Sequence, residues 1–156
     1  MNATGSSTPL ATVHLVGVPT ELSVRSLMHF DDLLHELRIV KSGQESGQAE
    51  VAPRLARLID EVLETYSDAV QSIWAQVEQA RQEGRDRFDL ELRLPASAVD
   101  DSGYMTRLLD EADQYCRSEQ LLTLAASEDI VALRQWTNEE TLAQLRDHRH
   151  PTPCPL

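Results

Sequence analysis

The stretch Phe88-Asp89-Leu90-Glu91-Leu92-Arg93-Leu94 alternates apolar and charged residues without a break. A β-strand points successive side chains to opposite faces. Phe88, Leu90, Leu92 and Leu94 therefore fall on one side, and Asp89, Glu91 and Arg93 on the other. The pattern predicts a strand with one dry and one wet face, at an edge or on an uncovered sheet face. Gly84 lies just before it and Pro95 ends it. A second β-rich run, Val13 to Val18 (VHLVGV), stops at Pro19, after which the Thr20 hydroxyl can cap a helix.

The segments around these two runs read as helices. Leu27, Phe30, Leu34 and Leu37 share one face of a helix from about 20 to 40. Residues 41 to 50 are polar with two glycines and read as an exposed loop. From 52 to 83 runs a long helical pattern, with Leu55, Leu58, Ile59, Val62, Tyr66, Ala69, Val70, Ile73, Trp74 and Val77 on its apolar face. Unbroken, it would be about 48 Å long. A domain of this size is roughly 40 Å across. It therefore bends or reaches beyond the core. Residues 65 to 68 are the natural break, with Ser67 or Asp68 as cap; a protruding hairpin or dimer arm is the alternative. Ser97 can cap a helix whose stripe is Met105, Leu108, Leu109, Ala112 and Cys116. Leu121 to Ala125 (LLTLA) is a third strand or a helix continuation, and Ser127 caps a last helix carrying Ile130, Leu133, Trp136, Leu142 and Leu145.

The expected fold is α+β or α/β, helix-rich, with a small two- to three-stranded sheet and about five helices. Interspersed strands and helices favour crossovers and partly parallel pairing. Residues 12–148 form one domain in this reading, between a loose N-terminus (1–11) and a flexible proline-rich tail (149–156).

The chain has 156 residues and a net charge of -12, from 14 Lys+Arg against 26 Asp+Glu. That balance disfavours nucleic acid and anionic membranes as partners, because both are bound by neutralising phosphate with cations. No apolar run approaches a membrane span, and Met1 to Thr12 lacks the features of a signal peptide. Two cysteines, Cys116 and Cys154, fit reduced thiols in a cytoplasmic protein. Lys41 is the one lysine among the basic residues, a bias of GC-rich bacterial genomes.

No motif assigns a reaction. Leu108-Leu109-Asp110-Glu111-Ala112-Asp113 resembles the acidic box of nucleotide hydrolases, but no phosphate loop accompanies it, and a solvated acidic helix face is the plainer reading. His29 and His35 diverge by about 120° on a helix, so with Asp32 they do not converge as metal ligands. Glu61, Glu64 and Asp68 read as an ordinary charged face. Neither a catalytic set nor a cofactor or metal site is expected. Trp74 and Trp136 are core residues or interface anchors. The long stripe exceeds what one small core needs, so Leu55, Ile59, Val62, Tyr66, Ile73, Trp74 and Val77 are the candidate interface, with a homodimer expected. If the chain instead senses a small molecule or acts as an enzyme, Asp32, His35 and Arg93 are the polar residues that could meet near the strand ends.

Several strings together resemble a family of small actinobacterial proteins: residues 13–19 (VHLVGVP), 29–36 (HFDDLLHE), 108–116 (LLDEADQYC), 121–125 (LLTLA) and 132–136 (ALRQW). Its relatives accompany partner-switching regulators, namely serine phosphatases, anti-sigma kinases and their antagonists. The resemblance implies a non-enzymatic regulatory interaction module with protein partners in bacterial signalling. It carries over no catalytic residues, and the nucleotide-binding boxes of an anti-sigma kinase are absent.

Overall fold

Strand β1 (Leu10–Pro19) pairs antiparallel with β2 (Arg87–Pro95), in register Val13↔Leu92 and Leu15↔Leu90. The computed structural model describes residues 9–42, 51–118 and 123–156. Between the strands lie α1 (Thr20–Ser42), α2 (Val51–Thr65) and α3 (Ser67–Gln82); α4 (Ala98–Arg117) and α5 (Glu128–Leu145) follow β2. The fold is thus α+β and helix-rich, with five helices and two strands among the described residues.

The strand patterns hold. Phe88, Leu90, Leu92 and Leu94 are buried while their neighbours are exposed. In β1 the alternation slips once. Val16 and Gly17 together oppose Asp89, making a β-bulge with Gly17 at φ +65°, in the left-handed region that favours glycine. The extra residue lets Val13, Leu15 and Val18 all face inward. An isolated two-stranded sheet is marginal, and its edges invite pairing. Here glutamines from two helices close both edges at the facing pair His14–Glu91. Gln144 of α5 donates to His14 O and accepts from His14 N (2.8 and 2.9 Å). Gln76 of α3 does the same for Glu91 (2.8 and 3.0 Å).

Four expectations are corrected or narrowed. The two strands pair antiparallel, because the chain makes two helical passages between them, α1 and the bent α2–α3 rod, and so returns in the opposite sense; the parallel pairing among the described residues is limited to an isolated bridge, Val16↔Pro153. The Leu121–Ala125 strand does not form where it can be seen. Leu121 and Leu122 lie outside the described residues. Thr123 instead gives its amide and hydroxyl to Glu36 Oε2 (2.6 and 2.5 Å), and Leu124 O meets His29 Nε2 at 2.8 Å. At the N-terminal boundary, residues 10 and 11, expected to be loose, already belong to β1.

The tail, finally, is docked. Cys154 N donates to Val16 O (2.8 Å), and Thr152 gives its amide and hydroxyl to Glu140 (2.8 and 2.7 Å). Arg87 donates to Leu156 O, while Cys154 and Leu156 join the core. The expected loop at 43–50 lies outside the described residues, though α1 runs on to Ser42.

The break in the long helical pattern falls at Tyr66, as the length argument required. No side chain caps α3, and helical hydrogen bonds continue on either side (Tyr66 N to Val62 O, Val70 N to Tyr66 O), so the rod bends without ending. The bend divides the core. One buried cluster joins the sheet to α3 and α5, and the other joins Leu33, Leu34 and Leu37 of α1 to Leu55 and Ile59 of α2 and Leu108 and Ala112 of α4.

Candidate functional site: an apolar cavity at the seam of two cores

A cavity of about 350 Å³ lies between the two clusters. The sheet contributes Leu15, Leu90, Leu92 and Leu94, and the α2–α3 rod contributes Val62, Leu63, Ala69, Val70 and Ile73. Phe30 and Leu33 of α1, and Met105 and Leu109 of α4, line it from the other cluster's side. These residues have the spacing of ordinary core positions, yet many are only partly buried, because the space beside them is open. Trp74, 39% exposed, is the most exposed of the large apolar residues that line it.

Polar groups are concentrated on the α4–α5 wall. Tyr66 Oη donates to Asp101 Oδ2 (2.5 Å) and lies 3.2 Å from Ser97 Oγ. Burial, followed by the bond to Asp101, pushes the phenol up to about 12. Ser102 Oγ donates to Asn138 Oδ1 (2.6 Å). Arg134 also lines the cavity, but its charge is spent on Asp113 (2.9 Å) and Asp110 (3.3 Å).

Asp113 corrects the reading of the 108–113 string as a wholly solvated face. It is 2% exposed, and its other oxygen accepts from Ala126 N (3.0 Å). It lies four residues after Leu109, which put it beside the apolar stripe. That spacing was the available signal. Cys116 is buried too; desolvation and the nearby Asp113 and Glu36 carboxylates push its thiol up to about 11, leaving it a packing residue.

The candidate interface divides between core and cavity. Leu55 and Ile59 are fully buried in the second cluster. Val62, Tyr66, Ile73, Trp74 and Val77 all line the cavity, with Val77 also in the sheet-side core. Surplus stripe thus faces an internal space, and only Trp74 reaches far out of it. Trp136 packs partly buried against the sheet-side core.

Asp32, His35 and Arg93 do not come together. Asp32 and His35 are exposed on α1, whereas Arg93 stands on the wet face of β2 with Glu91 as its ion-pair partner (3.8 Å). None of them lines the cavity. Among the described residues, no group of three or more His, Cys, Asp and Glu is arranged to hold a metal ion. No helix there is long and apolar enough to cross a membrane. Comparison with protein-family models, curated proteins and solved structures gives no match to this chain.

Proposed function

We propose that the protein is a non-enzymatic binding module that takes an apolar small molecule into the cavity between its two cores. One observation carries the reading: the cavity's size and apolar lining. An apolar occupant would withdraw the exposed lining of this half-open space from water and supply the contacts it lacks, and the volume of about 350 Å³ suits a molecule of small-drug dimensions.

Thermal denaturation with cyclohexane, which is uncharged and has no head group, tests this. At a hundredfold excess over Kd the folded state gains about 2.7 kcal/mol, a rise in Tm of roughly 5–10 °C for a domain of this size. The Ala69→Phe variant, which fills the cavity, should show no rise. An unchanged Tm for the parent protein at saturation would sink the reading.

A second reading is a protein-docking module, as the resemblance to a family whose relatives accompany partner-switching regulators suggests. Its specific support is the surface where Met28 (57% exposed) and Trp74 line a second groove between α1 and α3. Self-association is its simplest form. Light scattering at micromolar concentration tests it: a dimer lost on Trp74→Ala supports this reading, and a monomer unaffected by the substitution counts against it.

A further inference from the structure

Besides Tyr66, three ionisable side chains line the cavity among the described residues, and they differ in how they are compensated. Arg134 is held by two carboxylates, and His29 is engaged by Leu124 O. Asp101 accepts from the Tyr66 hydroxyl on Oδ2, and among the described residues no cation pairs with it. The remaining lining is apolar or neutral, including the Ser102–Asn138 pair beside it on α4 and α5. Asp101 is partly exposed in the first turn of α4, where the helix amides share its charge, and it is the one carboxylate on the lining among the described residues; a ligand cation would add a charge-assisted hydrogen bond there. The chain's net charge of -12 acts in the same sense at longer range.

Resting on the cavity as a ligand site, the geometry points to an apolar amine in its protonated form as the ligand class, with its ammonium head at Asp101 and its hydrocarbon body against the α2–α3 rod and the sheet. A fatty carboxylate is excluded by the same chemistry. Its head would face Asp101, and Arg134, the one guanidinium on the wall among the described residues, is already paired.

Octylammonium, 1-octanol and octanoate share one tail and differ in head group. Titration of each at pH 7, followed by Trp74 fluorescence in a Trp136→Phe background, compares them, with cyclohexane as the headless control. Octylammonium should bind at least tenfold more tightly than octanol and octanoate. Asp101→Asn, which keeps an acceptor for Tyr66, should remove that margin, read as the ratio of octylammonium to octanol affinity within the variant. Cyclohexane binding with no octylammonium preference, or a margin that survives Asp101→Asn, overturns the head-group assignment while the cavity reading stands. No binding by any of the four overturns both.

Discussion

At Thr20 the side-chain oxygen is buried and makes no hydrogen bond, the one such side-chain atom among the described residues. Helix α1 already begins at Thr20, so the hydroxyl lies one position past the N-cap and does not take the capping role expected of it. Thr20→Val should therefore be neutral or stabilising by up to about 1 kcal/mol, whereas a capping hydroxyl would lose about 1 kcal/mol. Urea denaturation decides the sign. Ser97 and Ser127 do stand at N-cap positions, yet neither makes a side-chain cap; Ser97 lies near Tyr66 and Ser127 donates to Asp129. Sequence places a residue at a helix start well enough, but the bond its hydroxyl chooses depends on neighbours brought in by tertiary structure. The opposite case is Asp113–Arg134, where removing one partner strands a buried charge. Arg134→Ala, which leaves the 2% exposed Asp113 without the cation it faces, should destabilise by about 3–5 kcal/mol, readable as a lowered denaturation midpoint. A loss within error would mean that the pair is effectively solvated.

The elements were legible where local pattern decides them. Alternation in β2 and the length of the 52–83 pattern predicted a one-sided strand and a broken rod, and both are present. Strand direction depends on how many helical passages separate β1 from β2, which no local pattern contains. The tail was misread for a related reason. Its prolines do exclude helix, but its anchors, Val16 and Glu140, are remote in sequence or lie on another element. Burial raises the Glu140 pKa, but the Thr152 hydroxyl and amide and the Gln144 amide outweigh it, leaving a net depression. A depressed folded-state pKa stabilises the tail above the ordinary value of 4.5, and that stability is lost as pH falls below it. Hydrogen exchange at Cys154 N should thus accelerate below pH 4.5 more than exchange in β2 does, and Glu140→Gln should show fast exchange already at pH 7. Equal protection in the variant would deny Glu140 this role. The β1 bulge has its own test: no atom lies within 4 Å of a Cβ built on Gly17, so Gly17→Ala meets only backbone strain. It should lose about 1–2 kcal/mol, measured by thermal unfolding, and a neutral result would show the bulge relaxing away.

Across the whole molecule, the two clusters meet imperfectly, and the space between them is the cavity. Nothing in the sequence distinguishes Leu55, which is packed, from Val62, which borders open space: both are apolar residues on one helical stripe. The length of that stripe was visible as a surplus, and only the bend at Tyr66 turned the surplus toward an interior. The same bend sets the Tyr66 hydroxyl against Asp101, so the polar end of the cavity is tied to the break in the rod. Intermolecular NOEs between cyclohexane and methyl-labelled protein test this arrangement most directly. The predicted result is contact with both walls at once, from Val62, Val70 and Ile73 of the rod to Leu90 and Leu92 of the sheet. Contacts confined to the outer surface around Met28 and Trp74, or none at saturation, would contradict a binding cavity between the two cores.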